Sequence, residues 1–450
     1  MLTALPSPAY PLTLSRSRPL RYTVFLYLYV MQGIPAGFSL TALANYLTAE
    51  GVSPSAIGSF AAIVGLPWAF QFVWGPLIDR YQRSSMGRRK PWVVGAQCMA
   101  FLASLGLLLV RDPIAQVSTL AWFFFGHSIF AAIQDASVDA MAITVIPEDE
   151  RGRVNAFMRA GFLIGIGAGA AVFSQLLRTY GFFNAALLQS LCLLTLTLCT
   201  FFIREKPGDR LLPSFNRVSS SFAFGSGQGA IQTEQAEHDF KWLFTELFKG
   251  LFAKRSLLLF GSVVTAYVSI SLFLRAYNYH LIQKLGWADT SVSMLTGTYG
   301  MLVATGAALI GGYIADRINP RRLLVIVVAM VAVYLVSFNA MSVLWIQREV
   351  AQTGLVALYF MDPSISVAAM PVLMAICRKG VEGSQFTTYM AFVNLSDIAG
   401  SFLAGHALTY VSAPTIGLFA GGLAGVAMFG ALLALQRYPI GSSTNSTVAS

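Results

Sequence analysis

The sequence predicts an all-α integral membrane protein of twelve transmembrane helices, arranged as two pseudo-symmetric six-helix bundles. Three observations carry that prediction: an apolar composition, twelve apolar runs of spanning length, and one short loop pattern that occurs twice. Of 450 residues, 56% are hydrophobic, 13% aromatic and 11% charged, and the mean hydropathy is +0.65, outside the range of soluble domains. The loop pattern is Gly75-Pro-Leu-Ile-Asp79-Arg80, followed by Gly87-Arg88-Arg89-Lys90. It returns 237 residues later as Gly312-Tyr-Ile-Ala-Asp316-Arg317, followed by Pro320-Arg321-Arg322. Each copy closes one apolar run and opens the next, as in a chain built by duplication.

Stretches of about 20 apolar residues span a bilayer. In the first half they fall at 22–47, 55–78, 91–110, 117–146, 154–177 and 181–203, and in the second at 257–282, 292–314, 323–345, 350–376, 387–411 and 414–435. The first follows Arg16, Arg18 and Arg21 and runs for 26 residues, too long for the apolar core of a cleaved signal peptide. The implied organisation is a tail over 1–21, a bundle over 22–203, a linker over 204–256, a second bundle over 257–435 and a tail over 436–450. The linker has a Gly/Ser/Gln-rich stretch and then a segment, Asp239 to Arg255, with aromatic and Leu residues at helical spacing among lysines. That segment reads equally as a helix in the membrane interface or as one packed beneath the bundle.

An even number of spans puts both termini on one side, and the positive-inside rule makes that side cytoplasmic. On this topology 24 of the 30 Lys and Arg residues lie inside, four lie outside (Arg111, Arg178, Lys284, Arg348) and two, Arg159 and Arg275, fall within spans. The basic charge is therefore a topology signal, and nucleic acid is not expected as a partner. Cys98, Cys192, Cys199 and Cys377 show no C-x-x-C spacing and read as packing residues, and no cofactor or metal set is expected.

The duplication extends further. Pro147-Glu-Asp-Glu150-Arg151-Gly152-Arg153 lies 64 residues beyond Arg88 (measured to Gly152), and Arg378-Lys379-Gly-Val-Glu382-Gly383 lies 62 beyond Arg321 (to Gly383). Matching loops at matching intervals imply two related six-span halves, an arrangement of secondary transporters with a central site at the repeat interface.

These loops and spans resemble the major facilitator superfamily. Three segments are similar to its branch of muropeptide permeases, acetyl-CoA transporters and single-polypeptide siderophore permeases: Gln32-Gly33-Ile-Pro35-Ala-Gly37-Phe38, Gln134-Asp135-Ala-Ser-Val-Asp139, and Pro147-Glu-Asp-Glu-Arg151-Gly152. Where muropeptide permeases carry a Lys and an Asp after the paired aspartates, this chain has Ala142 and Thr144. The resemblance implies that spans 1, 4, 7 and 10 line a central cavity. It also implies that Asp79 and Asp316 meet the positive ends of helices in the opposite half, at spans 11 and 5. On that reading Asp79, Arg80, Arg88, Glu150, Arg151, Asp316, Arg317, Arg321 and Glu382 form a cytoplasmic gate, with the arginines pairing to acids such as Glu150 or Glu382.

An ionisable group inside a span costs a few kcal/mol on insertion scales (about 2.5–3.5), so each calls for a reason. Asp135 and Asp139 share one face of span 4 beside Gln134, and two carboxylates so close in low dielectric suit proton coupling. Asp362 should face the substrate path, and Asp397, on a span that packs further out, reads as an inter-helix lock. Arg275 is either a recognition group for a carboxylate or phosphate or an arginine snorkelling to headgroups, with Asn278 close by. For Arg159 snorkelling is expected. Gln32 lies among Gly33, Pro35 and Gly37, which would loosen span 1 and expose carbonyls to the cavity. Tyr46, Tyr267 and Ser271 are further polar candidates. The glycine ladders 161/165/169 and 417/421/425 read as helix packing, and His127 and His406 as hydrogen-bonded core residues.

The expected function is a secondary active transporter of a small organic solute in the bacterial inner membrane. It is expected to be a monomer that imports by alternating access with protons. A siderophore- or muropeptide-type permease is the narrower reading. A polytopic intramembrane enzyme or a transporter-like sensor are the rival classes, but no nucleophile elbow, zinc helix or P-loop supports catalysis.

Overall fold

The computed structural model describes residues 13–80, 84–147, 150–212, 240–315, 317–378 and 381–437. Ten helices among them are long and apolar enough to cross a membrane. One, Arg151–Phe202, contains two spans that meet at Gly181, where φ is 79°, a conformation that glycine adopts without a Cβ clash. A further helix of spanning length, Glu382–Ala407, is interrupted by Asn, Ser, Thr and Asp. The described residues thus hold twelve helices of spanning length: α1 (Arg18–Ala49), α2 (Pro54–Val73, continued by Trp74–Arg80), α3 (Lys90–Leu109), α4 (Val117–Val145), α5 (151–180), α6 (182–202), α7 (Lys254–Gln283), α8 (Asp289–Ala315), α9 (Pro320–Ala340), α10 (Arg348–Ala375), α11 (Glu382–Ala407) and α12 (Ala413–Arg437). All twelve expected spans are met within a few residues.

Local chemistry sets several starts. Ser53 accepts from the Ala56 amide ahead of α2, and Asn319 accepts from Arg321 ahead of α9, each followed by Pro at the first helical position. The start of α3 is capped from a distance. The carboxylate of Glu205, only 1% exposed beyond the end of α6, accepts from the amides of Arg88 (3.1 Å) and Arg89 (2.7 Å) and from that of Lys90. Three orphan N–H groups at a positive helix end are thereby satisfied by one acid. Gly87 makes room for it, since a Cβ there would lie 3.0 Å from the Glu205 carboxyl carbon and its φ is 122°.

Packing separates the chain into halves. One buried cluster draws on α7 to α12, and two others on α1 to α6. Large apolar side chains such as Trp122, Val333 and Phe419 remain exposed on the outside, as a lipid-facing surface requires. The halves meet along two helix pairs, and glycine lets both approach. In α5 and α8, a Cβ at Gly167 would lie 2.4 Å from the Gly297 carbonyl oxygen; in α2 and α11, a Cβ at Gly58 would lie 2.9 Å from Gly405. The expected ladder Gly161/Gly165/Gly169 packs against the carbonyls of Leu26, Val30 and Ile34 in α1. The second ladder is corrected in part. Gly417 and Gly421 abut Asn339 and Val336 of α9, but Gly425 has open space around its Cβ position.

In the linker a helix spans Phe240–Leu251. It is pinned beneath α11: Glu246 pairs with Arg378 at 2.9 Å, and Gly250 lies against Gln385. The Glu246 carboxylate is held below the ordinary range, first by its hydrogen bond from Lys249 and then by the nearby Arg378 charge. Phe248 and Phe252 stack on each other and stay exposed, so the helix both packs on the bundle and presents an apolar edge.

Candidate functional site

Two irregular helices shape the region between the halves. In α1, Pro35 lacks an amide hydrogen, and the next turns widen into a π-helical stretch over Phe38–Leu43. In α8, Thr296–Gly300 is also π-helical, at the place where Gly297 meets α5. The loosening of span 1 expected from its Gly and Pro residues is present, but Gly33 and Gly37 serve contact. A Cβ at Gly33 would lie 2.3 Å from the Phe162 carbonyl oxygen, so these glycines seat α1 on α5.

On the N-terminal side, α4 presents Asp135 and Asp139. Gln71, in a 3₁₀ turn of α2, donates to Asp135, and Tyr29 of α1 donates to Asp139 at 2.5 Å. Gln32 lies one turn along from Tyr29, is 5% exposed, and neither atom of its amide has a hydrogen-bond partner. Gln134 is buried on the neighbouring face with its amide nitrogen unpartnered. A buried amide left unmatched carries a desolvation cost of about 1–3 kcal/mol, which a bound group would remove.

On the C-terminal side, Asp397 of α11 accepts from Ser271 of α7 at 2.5 Å. Arg275, one turn further along α7, donates to Ser401 at 3.1 Å and lies 4.0 Å from Asp397. Its third contact crosses to the other half: it donates to the Leu40 carbonyl, within the π-helical stretch of α1, at 2.7 Å. All the arginine's bonds point inward, so it does not snorkel to the outer headgroups. Asn278 lies beside it, 8% exposed with its carbonyl oxygen unpartnered, on a small cavity of about 40 Å³ shared with Asn45, Ser401 and Gly405. Asp362 is half-buried in α10 ahead of Pro363, and Tyr267 is buried in α7.

Asp139 and Asp397 are both exposed, although each sits well inside a spanning helix. Each is bonded by a hydroxyl of another helix in its own half, Tyr29 of α1 and Ser271 of α7. Arg159 corrects an expectation. It is exposed, and it shares a face of α5 with the buried Leu163, Ala170 and Leu177, so it points toward the space between the halves and does not snorkel outward.

Tyr46 does not join this set. It lies at the far end of α1 beneath Arg178, whose guanidinium carbon is 4.7 Å from the ring centre. Arg178 bonds Glu50 at 2.6 Å within its own half and Asp289 of α8 at 2.9 Å in the other. Beside this clasp Asn45 donates to Ser293 at 2.9 Å, and Gln283 donates to the Thr48 carbonyl. Polar bonds thus join the two halves at the end away from the chain's basic loops. The sequence pattern did not single out these residues, because loop charges do not reveal their partners.

At the basic end, Asp79, Arg80, Arg151, Asp316 and Glu382 lie outside the residues whose side chains are described. Glu150 is occupied by α1: Arg21 bonds it through two nitrogens at 3.0 and 2.8 Å, and Arg18 lies 3.7 Å away. Both of these partners belong to its own half. Arg317 stacks on Tyr313 at 4.0 Å, the Arg88 amide contributes to the Glu205 cap, and the Arg321 amide to the Asn319 cap. His127, buried, bonds the Ala100 carbonyl at 3.0 Å as expected of a core histidine; His406 bonds the Phe402 carbonyl at 2.9 Å but is only half-buried, which corrects its placement in the core.

Comparison with known proteins agrees with this architecture. The family model described as Major Facilitator Superfamily matches residues 25–361. Over 407 residues the chain is 25% identical to an anhydromuropeptide permease of Escherichia coli, covering 86% of this chain and 75% of that one. A 180-residue stretch is 30% identical to an uncharacterized protein of Haemophilus influenzae, 39% of this chain but only 41% of that relative's length. Among solved structures, a mutant of the nucleoside transporter NupG superposes with a TM-score of 0.65 at 11% identity, covering 92% of this chain and 99% of that one. At that identity the likeness shows the fold alone.

Proposed function

The chain belongs to the major facilitator superfamily and is a multi-pass membrane transporter rather than an enzyme; on that premise we propose a proton-coupled importer. It moves a small organic solute across the bacterial inner membrane by alternating access, as a monomer with both termini in the cytoplasm. The observation that carries this reading is the placement of four carboxylates. Asp135, Asp139, Asp362 and Asp397 sit within spanning helices, and each keeps part of its side chain accessible. Acids there are costly in lipid and are characteristic of ion and substrate paths. The Arg178 clasp and the Arg275 tether supply contacts that must break for the halves to rock.

The similarity to an anhydromuropeptide permease makes sugar–peptide fragments the first solutes to screen, with siderophore chelates second. Ala142 and Thr144, neutral where muropeptide permeases are charged, favour testing both classes together. The experiment is uptake into proteoliposomes with an imposed pH gradient of either sign. Solute-specific uptake that follows the gradient is expected. Failure to move any solute of either class in either direction would overturn the reading, and gradient-independent uptake would remove its proton component.

A further inference from the structure

Among the described residues, Arg159 is a cation within a span that no salt bridge or hydrogen bond engages. It shares a face of α5 with Leu163, Ala170 and Leu177, which are 6%, 0% and 3% exposed, so that face points to the protein interior. The lipid-facing side of α5 carries Phe157 and Ile164, 43% and 53% exposed. Arg159 is nonetheless exposed, so what it meets is the open space between the halves. Arg275, the other cation within the spans, is held by Ser401, Leu40 and Asp397, whereas Arg159 makes no ion pair among the described residues. The opposite half carries Asp362, half-buried in α10, and Tyr267, buried in α7.

A guanidinium inside a membrane protein that faces a cavity and has no counter-ion at contact distance is a ready site for a planar oxyanion. We propose that Arg159 is the anion-recognition group of this transporter, and that the solute carries a carboxylate or phosphate which Arg159 holds on the α5 wall, facing Asp362. The neighbouring acids then suit a second, hydrogen-bond-donating part of the same solute, with the unpartnered amide of Gln32 as a further contact. This rests on the transporter reading for the word solute, but the binding claim stands on the site alone.

The test needs no knowledge of the cargo. Purified full-length protein in phosphatidylcholine nanodiscs is treated with the arginine reagent phenylglyoxal, and modification at position 159 is read by peptide mass spectrometry. Reactions run in sodium chloride, sodium acetate or inorganic phosphate at matched ionic strength. Arg159 is expected to react readily in chloride and about tenfold more slowly with acetate or phosphate at saturation. In Asp362→Asn protein the protecting anion concentration should fall, because an opposing charge is gone. Lack of reaction in chloride, a rate indifferent to both anions, or an Asp362→Asn protein indistinguishable from wild type would each overturn the proposal. So would protection arising only in phosphatidylglycerol nanodiscs, which would make a lipid headgroup the partner. Protection at Arg159 in a protein that moves none of the tested solutes would count against the proton-coupled importer reading and leave this one intact.

Discussion

The guanidinium of Arg275 in α7 donates a 2.7 Å hydrogen bond to the main-chain carbonyl of Leu40 in α1, tying one half of the protein to the other inside the spanning region. The carbonyl is available because α1 widens into a π-helical stretch there. The arginine is aimed because Ser401 and Asp397 hold its other nitrogens. Lysine keeps the charge but offers no planar fork, so it cannot reach three acceptors in fixed directions. Arg275→Lys is therefore expected to weaken the tether by about 1.5–3 kcal/mol, the range for hydrogen bonds to charged groups. Spin-label distances between α1 and α7 should broaden in that variant; an unchanged distribution would show that the bond does not restrain the halves.

The clasp at the far end makes a separate prediction. Arg178 and Glu50 are each about a third exposed, at 35% and 32%, whereas Asp289 is 4% exposed, so the bond between halves is the better shielded of the two. Partly exposed pairs contribute about 0.2–1 kcal/mol, which corresponds to a severalfold change in how often the end opens. In a cysteine-free background, Thr48→Cys, buried at 5% exposure, should label severalfold faster when Arg178→Gln or Asp289→Asn is added. The double substitution should add little to either single one, since both break one bond. Full additivity would place the two residues in unrelated roles.

Helix packing between α1 and α5 gives the third. A Cβ at Gly165 would lie 2.4 Å from the Val30 carbonyl oxygen and 2.8 Å from the Gly33 Cα, both backbone atoms that cannot swing aside. Gly165→Ala should cost about 1–3 kcal/mol as overpacking and lower the apparent melting temperature. Gly425→Ala, where nothing lies within 4 Å, is the control and should melt like wild type. Equal behaviour of the two would mean that the close approach of α1 and α5 is not what holds them.

What the sequence made legible follows from what apolar runs can show. Twelve spans, the repeat and the buried acids stand out because charge inside an apolar run is conspicuous. Tyr29 and Gln71 were not legible, since a Tyr or Gln in a span is ordinary until its partner is known, yet they donate to Asp139 and Asp135. Arg178 and Asp289 look like any loop charges, and only folding brings residues 111 positions apart to 2.9 Å. For Arg159 the decisive quantity is its helical face, shared with the buried Leu163, Ala170 and Leu177, which a count of apolar runs does not reveal. The gate residues Asp79 and Asp316 were plain as a repeat, and their side chains lie outside what the structure describes.

The Arg21–Glu150 pair predicts a structural role at the basic end. Both side chains are nearly buried, at 5% and 9% exposure, and Arg21 also donates to the carbonyls of Leu14 and Ser15. Removing one partner of a buried pair strands the other charge and costs about 3–5 kcal/mol, whereas replacing both with apolar residues is close to neutral. Arg21→Met alone should therefore destabilise the N-terminal half strongly, and Arg21→Met with Glu150→Leu should recover much of the loss. Limited proteolysis near residue 150 reads both outcomes, and a double variant as labile as the single one would show that the pair does more than balance two buried charges.

Asp135 and Asp139 make the prediction closest to function. They stand one turn apart on α4, one bonded by Gln71 and half-buried, the other bonded by Tyr29 and open to the cavity. Two carboxylates at this spacing repel when both are charged, so a proton shared by the pair relieves the repulsion, and its loss restores it. Asparagine keeps the shape and the hydrogen bonds to Gln71 or Tyr29 but takes no proton. Asp135→Asn is thus expected to abolish uptake driven by a pH gradient while sparing exchange of labelled for unlabelled solute, which needs no net proton movement. Asp139→Asn should show the same split, because either substitution removes the pair. Gradient-driven uptake surviving in both variants would move the coupling site to Asp362 or Asp397, and the same assay on those two would then locate it.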